Sequence, residues 1–310
     1  MPTSQFDHHR RGFLRALLGA PAGLSLTLDA FGQGAAPIQA VKLSPKLALI
    51  SGDGGNIAVV IAPDGLLMVD TGLAAQSAAL LSAVADQVDT HQVRTVFNTH
   101  WHPDHVGGNE TLGKAGARII AHENVKKRLS QKTTIEAANE TVEPLKAEGL
   151  PVQTFTKPGI LKFGAEKIEY TPVPTAHTDG DAYLFFPSVN VLHTGDLLFM
   201  GRYPFMDYST GGWIGGLVAA ADAMLKVGDA KTRIIPGHGA LASKPDLKAN
   251  RDMLATVHER LAAMAKEGKT ADEAVAAAPT KDFDAKWASG RTNIENFVRG
   301  AYTGLLRHGA

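Results

Sequence analysis

Four side chains that commonly bind metal ions fall within six residues of the sequence. They are His100, His102, Asp104 and His105, in the run Asn-Thr-His-Trp-His-Pro-Asp-His-Val-Gly-Gly-Asn. Residues two apart on extended backbone point to the same side, so His100 and His102 can bind one ion together. Asp104 and His105 follow a bend at Pro103 and can turn toward a second ion. Imidazole and carboxylate are the ligands expected for zinc and other borderline divalent metals.

Four single residues elsewhere in the chain extend this set. Each follows an apolar run: Asp70 in Leu-Met-Val-Asp-Thr-Gly, His177 in Pro-Thr-Ala-His-Thr-Asp-Gly-Asp, Asp196 in Leu-His-Thr-Gly-Asp-Leu, and His238 in Ile-Ile-Pro-Gly-His-Gly. Together with His-Xaa-His-Xaa-Asp-His, these motifs resemble, in the same order, the motifs of the metallo-β-lactamase superfamily. The resemblance extends from residue 70 to residue 239, more than half of the chain.

This resemblance implies a fold of the α+β class, an αββα sandwich, that carries a binuclear metal centre. It implies three ligands at one ion, three at the other and one that bridges them: His100, His102 and His177; Asp104, His105 and His238; and Asp196. Asp104 would also act as the catalytic general base, a role open to a ligand carboxylate. Asp70 would orient a ligand histidine by a hydrogen bond.

The chemistry expected from such a centre is hydrolysis. Two divalent ions about 3.5–4 Å apart lower the pKa of a shared water toward neutrality, so that a bridging hydroxide can attack a carbonyl. We therefore predict a binuclear zinc hydrolase for a small-molecule substrate, which would be a β-lactam, a lactone, an ester or a thioester. Iron or manganese can replace zinc at such ligands. The alternatives are an iron-dependent redox or sulfur-oxidising enzyme on the same fold, and a metal-binding protein without turnover.

The composition excludes several other classes of protein. The 310 residues are 44% hydrophobic, which is enough for a full core, and the formal net charge is zero. There is no long basic run, so nucleic acid is not expected as a partner. The chain has no cysteine, which excludes disulfides and thiolate metal ligands.

The N-terminal segment predicts export. Arg10 and Arg11, followed by Gly-Phe-Leu-Arg, resemble a twin-arginine signal. The modestly apolar stretch 16–28 is too short, and too rich in Gly and Pro, for a stable membrane anchor. We expect residues 1–36 to be a signal peptide that uses the twin-arginine export machinery, and the mature protein to be periplasmic.

Apolar patterns predict the elements that position the motifs. Short strands are expected at 47–50, 57–62, 66–69, 93–99 and 119–120, with a helix at 74–88. Two helices, 123–129 and 134–148, should precede antiparallel strands between residues 160 and 194. A helix at 213–227 and a strand at 232–235 follow. Apolar stripes predict helices beyond residue 244, so we divide the mature chain into a catalytic domain, 37–244, and a helical extension packed on it, 245–310.

Five further residues lie near these motifs but are not among the predicted ligands. His193 is expected to face away from the site or to be buried as structure, and Asp181 to shape its loop. Tyr203, Phe205 and Tyr208 follow Asp196 in a loop bounded by Gly and Pro. Aromatic residues in such a loop either line a pocket or pack into the core, and the pattern does not distinguish the two.

Overall fold

The computed structural model describes residues 37–52, 54–86, 92–289 and 293–309. The predicted signal peptide, 1–36, lies outside the described residues. In chain order the strands are β1 Gln39–Ser44, β2 Leu47–Ser51, β3 Ile57–Ala62, β4 Gly65–Val69, β5 Val93–Phe97, β6 Arg118–His122, β7 Thr133–Ile135, β8 Glu140–Val142, β9 Gln153–Phe155, β10 Gly159–Phe163, β11 Glu166–Pro172, β12 Ala182–Phe186, β13 Val191–His193 and β14 Arg233–Ile235.

These strands form two large sheets and one hairpin. The first sheet has the order β1-β2-β3-β4-β5-β6-β9, and it is antiparallel up to β4 and parallel from there on. The second sheet has the order β10-β11-β12-β13-β14, and only its β13–β14 pair is parallel. Strands β7 and β8 pair with each other as the hairpin.

The α-helices of the described residues flank these sheets. They are α1 Ser77–Ala85, α2 Pro103–Val106, α3 Asn109–Lys114, α4 Glu123–Leu129, α5 Ile214–Met224, α6 Lys244–Lys266, α7 Ala271–Ala276, α8 Asp284–Trp287 and α9 Ile294–Arg307. The longest, α6, begins with a capping box in which Ser243 and Asp246 bond each other's backbone N–H groups. None of the described helices is both long enough and apolar enough to cross a membrane.

Three apolar clusters make the layers of a sandwich. Between the sheets, Phe97 of the first sheet and Leu184 of the second belong to one buried cluster. Leu80 of α1 packs on the other face of the first sheet. On the outer face of the second sheet, Leu192 shares a cluster with residues of the helices α5, α6 and α9, namely Leu217, Leu254 and Phe297. Helices therefore cover both outer faces, and the predicted αββα fold is confirmed.

The helical extension packs on the rest of the chain through this third cluster. Helix α6 begins at Lys244, one residue before the boundary that we predicted from the sequence. The division into 37–244 and 245–310 stays a prediction.

One predicted element is wrong. Residues 134–148 do not form a helix; Thr133–Ile135 and Glu140–Val142 form the β7–β8 hairpin, and Ala147–Gly149 is a short 3-10 turn. Asn139, with φ 49°, adopts the left-handed conformation that the hairpin turn requires. The β-branched residues on either side of it favour strands. The sequence pattern also missed β1 and β9, which are edge strands with several exposed side chains.

Candidate metal centre

The predicted ligands lie where several strands end. Strands β4 and β5 run parallel; Asp70 follows β4 directly, and His100 follows β5 after two residues. Strands β13 and β14 are also parallel, and Asp196 and His238 follow their ends. The two sheets face each other, so these loops meet at one end of the sandwich.

All seven predicted ligands come together there, in two groups. In each group the candidate ligand atoms lie within 4.8 Å of one another. The first group is His100, His102, His177 and Asp196, and the second is Asp104, His105 and His238. Their positions match the predicted arrangement, while their roles as ligands stay a prediction.

Asp196 lies between the two groups. Its Oδ2 atom is 3.4 Å from His177 Nε2 and 3.4 Å from His238 Nε2. Its Oδ1 atom is 3.1 Å from His105 Nε2. Asp104 Oδ2 is 3.1 Å from His238 Nε2, on the side of the second group. The Asp196 carboxylate thus has two histidines of the first group and two of the second within 4 Å of its oxygens, as a bridging ligand would.

Two observations indicate that a metal fits these side chains. His100 Nε2 is buried and has no hydrogen-bond partner in the described part of the chain, which is costly unless a ligand occupies that side. Two glycines also pass so close to the candidate ligands that any side chain there would collide with them. A Cβ at Gly237 would lie 1.9 Å from Asp196 Oδ1, and one at Gly55 would lie 2.2 Å from His105 Cε1.

Asp70 orients His105, as predicted from its motif. Its Oδ2 atom is 2.8 Å from His105 Nδ1, so the Nδ1–H donates to the carboxylate and Nε2 faces the centre. Asp70 Oδ1 accepts a hydrogen bond from Thr99 N at 2.8 Å, and Oδ2 accepts one from Thr99 Oγ1 at 2.7 Å.

Asp207 orients His102, and sequence analysis did not find it. Its Oδ2 atom is 3.3 Å from His102 Nε2, which leaves His102 Nδ1 facing His177 Nε2 at 2.9 Å. Asp207 also caps the 3-10 turn Tyr208–Thr210. The run Asp-Tyr-Ser-Thr signals such a cap, but it does not signal the contact with a histidine 105 residues earlier in the chain.

Two further contacts were also not predicted. The carbonyl oxygen of Phe205 accepts a hydrogen bond from His177 Nδ1 at 2.8 Å, which turns His177 Nε2 toward the centre. Asn56 Nδ2 donates to Pro236 O and to Gly239 O, both at 2.9 Å, and so holds the loop that carries His238. A backbone acceptor leaves no signature in the sequence, and a lone asparagine in a loop is common.

Burial and neighbouring charge divide the histidines into two kinds. Burial lowers the pKa of His177 to about 4 and that of His100 well below its usual value, so both are neutral at pH 7. Burial also opposes a proton on His105 and His238, but the carboxylates of Asp196 and Asp104 raise the pKa of both. The neutral imidazoles of His100 and His177 can bind a metal as they are. Metal binding would release the protons held by His105 and His238.

The carboxylates are held ionised by the same contacts. Burial alone would raise the pKa of Asp104 and Asp196, but the nearby His105 and His238 lower it in both cases. In the Asp207 carboxyl, burial is outweighed by the hydrogen bond with His102, and the pKa falls to about 2. An ionised carboxylate can only accept hydrogen bonds, which suits a ligand or an orienting group.

The remaining residues near the motifs have mostly structural contacts. His193 is fully buried, with Nε2 3.2 Å from Asn56 O. Asp181 accepts hydrogen bonds from the backbone N–H groups of His177 and Thr178, and burial raises its pKa to about 7. Tyr203 stacks on Phe297 at 4.4 Å, far into the helical layer.

Of Tyr203, Phe205 and Tyr208, Phe205 is the one that lies at the centre. Its ring centroid is 5.9 Å from that of His102 and 6.0 Å from that of His177. Tyr208 instead stacks with the Arg307 guanidinium at 4.8 Å. Phe205 therefore lies beside two candidate ligands, whereas Tyr203 and Tyr208 pack against the helical layer.

Comparison with known proteins gives relatives of several activities. The chain is 31% identical over 105 residues to a hydroxyacylglutathione hydrolase of Erythrobacter litoralis, which covers 34% of each protein. It is 27% identical over 192 residues to a metallo-beta-lactamase type 2 of Bacillus sp., covering 61% of this chain and 68% of that protein. The chain thus spans about a third of the first relative.

A solved structure is similar over a larger part of the chain. It is the stereoselective inverting sec-alkylsulfatase Pisa1 from Pseudomonas sp., with a TM-score of 0.67 and 16% identity. The similarity covers 86% of this chain and 50% of the alkylsulfatase. At this identity the similarity concerns the fold alone.

The family model described as the metallo-beta-lactamase superfamily matches residues 50–249, which include every predicted ligand. With that match, the two facing sheets and the clustered His and Asp side chains, the chain belongs to the metallo-beta-lactamase superfamily.

Proposed function

We propose that the protein is an exported binuclear zinc hydrolase that cleaves an acyl bond in a β-lactam, lactone, ester or thioester. The observation that supports this most is the placement of Asp196 between two groups of buried ligand atoms. A site for one structural ion would be complete with four ligands, and it would not need Asp104, His105 and His238 beside it.

Bound divalent ions would supply an acidified water and polarise the carbonyl oxygen of the substrate. The side chains of the protein would orient the ligand histidines and accept a proton from the attacking water. Asp70, Asp207 and the Phe205 carbonyl each hold one ligand histidine by its outer nitrogen, so that its other nitrogen faces the centre. Asp104, ionised and buried, is placed to orient the attacking water and to take its proton.

The test is hydrolysis by the full chain, purified with zinc and with its metal content measured. The panel is a chromogenic cephalosporin, a lactone, an aryl ester, a thioester and an alkyl sulfate. We expect turnover of one of the acyl substrates, lost on chelation and restored by zinc. Turnover of the alkyl sulfate alone would move the reaction to sulfate esters. Full occupancy by iron, with oxygen consumption and no hydrolysis, would favour the redox alternative.

Export has its own test. With Arg10→Lys and Arg11→Lys together, we expect the protein to stay in the cytoplasm of a bacterial host that exports the unchanged chain to the periplasm. A host without twin-arginine translocation should give the same retention. Periplasmic protein in both cases would contradict this route.

A further inference from the structure

Glu140, on the β7–β8 hairpin, carries a carboxylate without a hydrogen-bond or ion-pair partner among the described residues. Glu140 is half-buried, and within residues 37–52, 54–86, 92–289 and 293–309 no hydrogen-bond donor or cation contacts its carboxylate. A half-buried, unpaired charge is unfavourable, so its presence needs a reason other than folding.

The hairpin register turns Glu140 inward. Glu140 lies opposite Ile135, and side chains of directly opposed residues are on the same face. Ile135 is fully buried in a cluster with Trp101 and Val106, which are part of the metal-binding motif. Val142, two residues after Glu140 and therefore on the same face, also packs against this cluster.

This face lies beside the ligands. Burial raises the pKa of the Glu140 carboxyl, while the charge of His102 lowers it and that of Asp104 raises it. Phe205, whose ring lies 5.9 Å from that of His102, packs against the same cluster as Ile135 and Val142. Glu140 is thus on the hairpin face that packs next to His102.

Contacts at the hairpin tip fix this position. Glu136 N donates to Ser209 Oγ at 3.2 Å, and its carboxylate pairs with Arg307 at 2.7 Å. Ser209 belongs to the turn that Asp207 caps. The hairpin, and with it the backbone of Glu140, is therefore tied to the loop that orients His102.

We propose that Glu140 sets the charge preference of the site: it favours substrates with an ammonium or other cationic group near the scissile bond and disfavours anionic ones. This inference rests on the proposed function and names the substrate class of the same site. The reason is electrostatic, because a fixed carboxylate in a partly desolvated pocket attracts a cation and repels an anion.

The test measures binding, so it does not depend on finding the substrate. Three hydroxamates, which bind zinc through the same group, differ only in the tail: β-alanine hydroxamate (cationic), butyrohydroxamate (neutral) and succinate monohydroxamate (anionic). Their Kd values are measured by calorimetry on the zinc-loaded full chain at pH 8. Glu140→Gln removes the charge and keeps the shape. Glu143→Gln makes the same charge change on an exposed residue just after β8, which pairs with Lys132.

We expect Glu140→Gln to shift the ratio of the cationic to the anionic Kd by about tenfold in favour of the anion. The neutral hydroxamate should bind as before, and Glu143→Gln should leave the ratio unchanged. An unchanged ratio in Glu140→Gln, or an equal shift in Glu143→Gln, would overturn this inference and leave the proposed function standing. If none of the three binds, the proposed metal centre fails and the inference fails with it.

Discussion

At the scale of single residues, His102, His105 and His177 are each held by a hydrogen bond at the ring nitrogen that faces away from the centre. Asp70 has φ 66°, a left-handed conformation that is uncommon for residues other than glycine. It is tolerated because its carboxylate accepts hydrogen bonds from Thr99 and His105 that an extended Asp70 would lose. The backbone strain is therefore offset by the contacts that orient a ligand histidine.

The proposed role of Asp104 as general base gives a direct prediction. In Asp104→Ala we expect turnover to fall by about a thousandfold or more, because both a ligand and the proton acceptor are lost. Circular dichroism should show an unchanged fold, since Asp104 contacts the centre and not the apolar core. Steady-state kinetics with the substrate found above is the measurement, and near-normal turnover would contradict the mechanism.

Asp207 gives a prediction about metal affinity. Asp207→Asn keeps the size of the side chain but weakens the contact with His102 Nε2, so we expect zinc affinity to fall by about 10- to 100-fold. Competition with a chromogenic chelator measures this. Asp222→Asn is the control, because Asp222 forms an exposed pair with Arg251. Equal zinc affinity in the two variants would show that Asp207 only caps its turn.

At the scale of elements, the loops after the strands approach the centre closely. Glycine occurs where the backbone passes a ligand: Gly237 precedes His238 and lies against Asp196. The reason here is space and not conformation, since Gly237 is not among the residues with positive φ. A larger residue would displace the carboxylate that lies between the two groups.

The variant Gly237→Ala therefore tests whether glycine is needed here for space, since alanine can adopt the same backbone conformation. Its Cβ would lie 1.9 Å from Asp196 Oδ1, so we expect zinc affinity to fall at least tenfold and zinc-free stability to fall by about 1–3 kcal/mol. The matched control is Gly300→Ala in α9, where no atom of the described residues, apart from the chain neighbours and the helix's own backbone, lies within 4 Å of the added Cβ. That change should be neutral or stabilise by about 1 kcal/mol. Urea unfolding and zinc titration test both, and a Gly237→Ala protein with normal zinc affinity would refute the steric argument.

At the scale of the whole molecule, stability and metal binding are linked. In the zinc-free centre, His105 and His238 lie against the carboxylates of Asp104 and Asp196. These carboxylates raise the pKa of both histidines and so favour their protonated, positively charged forms. Metal ions that bind only the folded protein add stability as RT ln(1 + [L]/Kd), about 4 kcal/mol at a thousandfold excess over Kd.

We expect excess zinc to raise the Tm of the zinc-free protein by roughly 10 °C, by the usual relation between free energy and Tm for a chain of this size. Differential scanning calorimetry with and without a chelator measures the change. Asp196→Ala should lose most of the increase, because it removes the carboxylate between the two groups. An increase of the same size in that variant would place the stabilising zinc elsewhere.

The sequence alone determined the order of the strands that lead into the motifs and the list of candidate ligands. Both depend on information that is local in the chain: runs of apolar residues for the strands, and close spacing for His100, His102, Asp104 and His105. The single residues His177, Asp196 and His238 were placed by the order of motifs, which the family shares. The N-terminal signal was likewise inferred from a short local pattern and stays a prediction.

Only the tertiary structure decided which groups surround those candidates. Asp207, Asn56 and the Phe205 carbonyl act through contacts between residues far apart in the chain, and no local pattern marks them. The β7–β8 hairpin was wrongly predicted as a helix, although its β-branched residues favour strands. Its short strands pair with each other and pack on Trp101, and that packing determines which side of the hairpin Glu140 occupies. Local propensity is worth only tenths of a kcal/mol per residue, so long-range packing determines such short elements.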